Sequence, residues 1–354
     1  SLCYKKLNMR KKDLSVLNFK KLNLNIIASS LYSNFKLFLN KKIKKKNFLI
    51  ALSGGPDSLA LTALGKTYSN EKKNKIFFVL IDHGIRPDSS KEAKAVKLLL
   101  KKKKISLTIL KNKEKINKNI QSHAREVRYK LLLNFCKKKK INFILTGHHR
   151  EDQVETFLIR LSRGSGIQGL SSMKKVSILN SKTKLIRPLL DEKKKHLTVL
   201  AMQCFGKIFK DPSNTNQKYL RTKIRGLIKQ FEKSGIKQER IISSINNLGS
   251  TRDTLNSYIS RIEKVCVIKK KKETIINLNF FLLENSEIQL KVFSNCIKNV
   301  SRSYYPPRAK KIINLLYKVK SDEKLKITLG GCMVHKIHNN LVIYKEKLKK
   351  GLKI

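Results

Sequence analysis

The sequence predicts an α/β fold: a parallel sheet with helices on both faces, followed by a mostly helical region and a small C-terminal α+β region. Three observations predict it. From about residue 47, short apolar runs alternate with segments of helical length. Each run ends near a polar or Gly-containing loop. After about residue 230 the chain changes to longer helical stretches with sparse Gly, and then to a short β-like tail.

In chain order, FLIAL (48–52), IFFVLID (76–82), ISLTIL (105–110) and INFILT (141–146) are apolar runs of strand length. Near-continuous rather than alternating apolarity is the mark of strands covered on both faces. Between them, SLALTALGKTY, KEAKAVKLLLKKK and IQSHAREVRYKLLLNFC have helical length, and EDQVETFLIRLSR reads as a helix after the fourth strand. This βαβα rhythm puts ligands beyond the carboxyl ends of the strands. The loops SGGPDS (53–58), DHGIRPDS (82–89) and TGHHREDQ (146–153) therefore belong on one rim. Further on, the prolines of YYPPR (304–308) oppose a preceding helix and fit a first turn. In LKITLGGCMVHKIHNNLVIYKE (325–346), Asn339 and Asn340 read as a hairpin turn. No internal repeat is visible.

The 354 residues allow two or three domains, and 40% apolar content supports a real core. A formal charge of +56 repels itself in a compact state, so a polyanionic partner, nucleic acid first, is the natural way to offset it. Part of that charge is codon bias: with 15 Arg, 65 of the 80 basic residues are Lys, beside abundant Asn and Ile and no Trp. Any one run, such as KKIKKK (41–46) or KKKK (101–104), reads equally well as a solvated face. The six cysteines (Cys3, Cys136, Cys204, Cys266, Cys296 and Cys332) are widely spaced without a CxxC pair, which fits a reducing compartment. No window approaches a membrane span, and SLCYKKLNMRKKD lacks the apolar core of a secretory signal. No membrane partner is expected. The chain begins with Ser, and Met9 is a candidate start; an organellar presequence stays open.

SGGPDS follows a strand, precedes a helix, and lacks the lysine of a Walker loop. Its backbone N–H groups and small hydroxyls, from Ser53, Gly54, Gly55, Pro56, Asp57 and Ser58, suit a nucleotide that presents its α-phosphate to an attacking oxygen. Asp57 is then placed to hold Mg²⁺ against the departing pyrophosphate. The bland alternative is a plain turn with Ser58 as helix cap. Asp152 and Glu155, three apart on a helix opening near 151, share a face at the rim. Asp152 reads as a second Mg²⁺ ligand and Glu155 as a carboxylate that receives an ammonium group, although acids at a helix start also answer the helix dipole. His148 and His149 lack the helical spacing of a zinc site. Asp82 and His83 close the second strand, where adenosine meets backbone and side-chain groups. Gly164, Gly166 and Gly169 spell G-x-G-x-x-G but follow a helical run rather than a strand, so a dinucleotide site is rejected.

Together these segments, with AREVRY (124–129), RLSRGSGIQGL (160–170), IRPLL (186–190) and DPSN…LRTKIR (211–225), resemble the tRNA(Ile)-lysidine synthetase family of the PP-loop ATP pyrophosphatases. The resemblance covers roughly residues 47–230. It implies a Rossmann-like, adenine nucleotide alpha-hydrolase-like sheet, and a division into a basic N-terminal extension (1–44), a PP-loop ATP-binding synthetase domain (45–230) and an accessory, tRNA-binding C-terminal region (231–354). It also implies a reaction: ATP adenylates C2 of the wobble cytidine in a tRNA(Ile) with a CAU anticodon, and free L-lysine displaces AMP. On this reading Asp57, Asp152 and Glu155 are catalytic, Gly147 joins the ATP-binding set, and Arg125, Arg128, Arg160, Arg163, Arg221 and Arg225 hold lysine or tRNA beside Asp152 and Glu155. The setting is a bacterial cytoplasm or the matrix or stroma of an organelle of bacterial descent, and a homodimer is compatible. Two departures stand out: Glu151 precedes Asp152 where the family usually has two aspartates, and Thr222 stands where Asn is expected. The competing readings are tRNA 2-thiolation, which commonly needs paired cysteines, amide-forming ligation of a small molecule, and a non-catalytic RNA-binding relative.

Overall fold

The computed structural model describes residues 26–44, 46–112, 114, 120–209, 220–303 and 306–346. Residues 1–25, with Met9 and Cys3, lie outside the described residues, as do Lys45, DPSN (211–214), Tyr304 and Tyr305. The chain divides into two compact units, Ser1–Asn247 and Leu248–Ile354.

The first unit is built on a six-stranded sheet of order β3-β2-β1-β4-β6-β5. Strands β1 (Phe48–Leu52), β2 (Ile76–Asp82), β3 (Leu107–Lys111) and β4 (Phe143–Leu145) are the four apolar runs, mutually parallel. The two outer strands, β5 (Val176–Ile178) and β6 (Lys184–Ile186), are not legible as apolar runs because they sit in the polar stretch KKVSILNSKTKLIR, whereas the equally short β4 lies within INFILT. Strand β6 runs parallel to β4 and β5 antiparallel to β6.

Helices cover both faces, as expected of strands apolar throughout. On one face α1 (Ile26–Lys42), α2 (Pro56–Lys72) and α7 (Lys194–Phe205) share a core with β1, including Phe35, Leu39, Phe48, Leu64 and Leu200. The chain ahead of β1 thus contributes a packed helix: Ala28, Leu31, Phe35 and Leu39 recur at helical spacing and are buried. Tyr32 donates to Glu71 across 2.6 Å, tying α1 to α2. Helix α3 (Ser89–Lys101) follows β2 and contributes Val96 and Leu100 to the same core. On the other face, Leu132 and Cys136 of α4 (Ile120–Lys139) pack with Leu49, Val79 and Ile144. Helix α5 (Arg150–Leu161) leaves the end of β4, α6 (Ile167–Leu170) follows it, and α8 (Leu220–Lys233) sets Ile224 and Ile228 against Val154 of α5.

Helix α9 (Gln238–Cys266) spans the division between the units. In the second unit β7 (Val267–Lys269), β8 (Glu273–Asn277), β9 (Leu325–Leu329), β10 (Cys332–Ile337) and β11 (Asn340–Lys345) form an antiparallel sheet of order β7-β8-β11-β10-β9. Short helix α10 (Leu278–Phe281) and helices α11 (Ser286–Ser301) and α12 (Ala309–Ser321) complete the core with Val292, Phe293, Leu315 and Val319. Helix α12 starts just beyond Pro306 and Pro307 with Arg308 as its cap. The hairpin turn falls at His338 and Asn339, one residue earlier than the Asn pair indicates, with Ile337 paired to Asn340. In this register Val334 pairs with Ile343, and Val334, Leu341 and Ile343, all fully buried, lie on one face.

Candidate active site

The first loop turns on Gly54, whose φ of +85° favours glycine and whose absent Cβ would sit 2.7 Å from Val96 Cγ2. Gly55 caps α2 and Pro56 takes its first position, where a missing N–H costs nothing. Ser58 lies inside the helix and is no cap. Its hydroxyl donates to the Gly55 carbonyl at 3.0 Å and accepts the Ser53 N–H at 3.2 Å, closing the loop on itself. The third loop presses directly on the first: a Cβ on Gly147 would lie 2.8 Å from the Asp57 carbonyl oxygen. Gly147 thereby lets the two loops meet backbone to backbone.

Asp57 and Asp152 meet at one point. His149 caps α5 and is buried, and its Nε2 lies 3.5 Å from Asp57 Oδ2 and 3.5 Å from Asp152 Oδ2. The two carboxylate oxygens are thus separated by no more than twice that distance. Asp152 Oδ2 also accepts the backbone N–H of His149 at 3.1 Å. On the other side of the ring, Nδ1 meets Glu151 Oε2 at 3.0 Å, and both Glu151 oxygens accept the Lys194 N–H in the first turn of α7, at 3.1 and 3.0 Å. Glu151 therefore joins three elements through the imidazole and a helix start. Burial works against charge on His149, but its bonds to Asp57 and Glu151 and the charges of Asp152 and Asp57 outweigh it, lifting the imidazole to about 10. Burial raises Asp152, against the pull of the His149 charge. Glu151 is desolvated too, yet its bond to His149 leads a set of contacts that hold it below the usual range.

Glu155, one turn along α5, does not present a free carboxylate to an incoming ammonium. It is buried and already carries two guanidinium groups from α8: Arg225 Nε at 2.6 Å and Arg221 Nε at 3.0 Å. The ammonium-receiving reading is corrected accordingly: Glu155 holds two arginines beside the acidic cluster. Arg225 lies partly buried and is raised despite desolvation, first through its bond to Glu155.

The second loop is pinned by Asp82, which accepts from Gly84 N at 3.1 Å and Ser90 Oγ at 2.5 Å. Asp82 is thus occupied with loop donors. Next to it, burial and the charge of Arg128 push His83 down to about 4, and Arg128 Nη2 lies 3.5 Å from His83 Nε2. Arg125 stacks on Tyr129 of its own helix at 5.0 Å. His148 meets Thr146 Oγ1 at 2.8 Å, and burial plus the charges of Arg187, Arg125, Arg221 and His149 keep it neutral. Arg160 donates to the carbonyls of Gly169 and Ser172 at 2.6 and 3.0 Å, closing the glycine loop after α5 rather than pointing to a ligand. Arg163 is exposed in the turn that begins that loop. Reading residue types along the chain missed His149 and Glu151 as the centre of this cluster. The signal available was an imidazole directly before a helix start with acids two and three residues after it, at Glu151 and Asp152.

Whether magnesium fits is a question the donors answer. Asp57 Oδ1 is buried without a hydrogen-bond partner. An oxygen left so, on a carboxylate that shares His149 with a second one, fits a hard cation. Among the described residues no group of three or more His, Cys, Asp or Glu side chains is placed to hold a metal ion.

A PP-loop domain family matches residues 27–231 of this chain. The tRNA(Ile)-lysidine synthase of Wolbachia pipientis wMel is 34% identical over 320 residues, covering 88% of this chain and 72% of that protein. The tRNA(Ile)-lysidine synthase of Rickettsia prowazekii (strain Madrid E) is 31% identical, covering 90% of this chain and 75% of that protein. Among solved structures, a U34-tRNA thiolase from Methanococcus maripaludis superposes with a TM-score of 0.53 at 18% identity, over 63% of this chain and 79% of that one, a likeness of fold. With a glycine bend, a convergent acid pair and this breadth of sequence agreement, the chain belongs to the tRNA(Ile)-lysidine synthase family of PP-loop proteins.

Proposed function

We propose that this protein forms lysidine: it joins free L-lysine to C2 of the wobble cytidine of a tRNA(Ile) with a CAU anticodon, using ATP. In the first step the O2 oxygen of cytidine attacks the α-phosphorus, an O–P bond forms, and pyrophosphate leaves. In the second the lysine ε-amine, deprotonated, attacks C2, and AMP departs with the oxygen. The observation that carries this reading is the convergence of Asp57 and Asp152 on His149 Nε2 beside the Gly54 bend. An acid pair at that place can hold Mg²⁺, which when bound neutralises the phosphates and the leaving pyrophosphate. The chain's own groups do the rest. The bend admits phosphate close to the backbone N–H groups of α2. Glu155 holds Arg221 and Arg225 at the rim, where a guanidinium can meet phosphate or a substrate carboxylate. His149 and Glu151 keep Asp57 and Asp152 aimed at one spot, and alignment of this kind supplies much of a rate enhancement.

The cysteines weigh against sulfur transfer. Burial raises Cys136 and Cys296 to about 12 and Cys204 and Cys266 to about 11, so these thiols are held away from the reactive thiolate form. No described helix is long and apolar enough to cross a membrane. Purified protein given Mg²⁺, ATP, labelled lysine and a tRNA(Ile) CAU transcript is expected to put label into the RNA. Label entering a CAU-bearing methionine tRNA instead, or sulfur rather than lysine in the product, would sink the reading.

A further inference from the structure

The four parallel strands β1 to β4 are each entered from a helix C-terminus through a lysine-rich segment: 41–44 with 46, 72–75, 101–104 and 137–140. Since these strands lie adjacent in the order β3-β2-β1-β4, the segments lie side by side on the amino-terminal edge of the sheet, opposite the loops of Gly54 and Asp152. The registers Phe48↔Ile76 and Leu49↔Ile144 keep the starts of β1, β2 and β4 level, and Phe78↔Leu107 sets the start of β3 two residues further along. At about 4.8 Å between strands, the four segments span about 15 Å.

The character of this edge is ionic alone. None of the segments contains an acidic or an aromatic residue. The apolar residues that enter the fold there, Ile43, Ile105 and Ile141, are buried, while Lys44, Lys73, Lys104 and Lys140 are exposed. Nothing is therefore offered for insertion into a bilayer or for stacking on a base. The segments before β1 and β2 are also fixed in advance. Asn74 Nδ2 donates to the Lys46 carbonyl at 2.8 Å, the Lys75 N–H donates to Asn47 Oδ1 at 3.2 Å, and Tyr68 donates to the Lys44 carbonyl at 3.2 Å.

Codon bias does not account for the pattern. Lys44, Lys73, Lys104 and Lys140 all have φ of 55 or 56°, the left-handed conformation that favours glycine or asparagine at a helix end. An AT-rich genome supplies asparagine as freely as lysine, yet lysine stands at all four. Complementing the helix dipoles needs a cation only somewhere in the last turn.

We propose that this edge is a second RNA-binding surface, which takes the phosphate backbone without reading bases and lies apart from the catalytic rim. It does not depend on the lysidine reaction and is tested without it. Replacing Lys44, Lys73, Lys104 and Lys140 together by Gly removes four charges at positions whose backbone suits glycine, so the fold is kept, and melting checks that. The full chain is then titrated with a short homopolymeric single-stranded RNA across a salt series. Affinity at low salt should fall by about tenfold or more, and the slope of log affinity against log salt should flatten by about 3, at about 0.7 for each lost single-strand contact. An unchanged slope would overturn the proposal. So would an equal flattening when Lys310, Lys311, Lys318 and Lys320, exposed on α12, are removed instead, because total charge would then be the cause. If the glycine variant kept its RNA affinity but lost binding to phosphatidylglycerol vesicles, the edge would belong to a membrane.

Discussion

The two edges of the first unit's sheet carry charge in opposite ways. At the carboxyl edge cations are paired with carboxylates that are withdrawn from water: buried His149 sits among Asp57, Glu151 and Asp152, and Arg221 and Arg225 close on buried Glu155. At the amino edge the lysines stand in solvent. A charge in a low dielectric acts through its position, and each pair matters; a solvated charge acts through number and is screened by salt. One substitution should therefore be decisive at the first edge and graded at the second.

Asp57→Ala should give the largest contrast: AMP release falls by about a hundredfold or more, on the scale of losing one preorganised electrostatic group, while RNA affinity is retained. Filter binding beside a pyrophosphate-release assay separates the two, and equal loss of both would make Asp57 structural. Glu155→Gln leaves two guanidinium groups without their anion. Breaking a fully buried pair costs about 3–5 kcal/mol, and because Arg221 reaches solvent we expect about 2–3 kcal/mol here, read by urea unfolding. No measurable loss would show that the pair is not held in solution.

The His149 proton offers a pH test in the nucleotide-free protein. Its folded value is raised from 6.5 to about 10, so its stabilising contribution is complete below pH 6.5 and is lost as pH rises toward about 10. Melting temperatures over that window should decline, and His149→Gln should remove most of the decline. A slope unaltered in the variant would put the proton elsewhere. The smallest effect is expected from Lys73→Gly: stability changes by at most about 1 kcal/mol and upward, since φ of +56° costs an L side chain. A clear loss instead would mean that the lysine side chain holds something in the free protein, and the contrast between the edges would weaken.

How far the site was legible follows the distance over which each feature is decided. The Gly54 bend and the shared face of Asp152 and Glu155 depend on neighbours within one turn, and the strand order placed both on one rim. What Glu155 faces depends on Arg225, 70 residues away, so spacing on α5 could show its direction but not its occupant. The same holds for Glu151, whose Lys194 partner is 43 residues off. Strands β5 and β6 escaped because polar residues interrupt the stretch that holds them, whereas β4, equally short, lies in a longer apolar run, and helix α1 was hidden within a basic stretch whose apolar stripe is the informative part.

By itself, then, the order of residues determined the strands, the lysine-free phosphate bend, the acidic helix start and the net charge, since propensity, periodicity and glycine's freedom act within a few residues. The folded chain alone decided which charges are neutralised: that an imidazolium bridges Asp57 and Asp152, that Glu155 is taken by α8, and that four lysine runs scattered over a hundred residues form one edge. Electrostatic partnership is set by proximity and burial, and both are properties of packing between segments far apart in sequence.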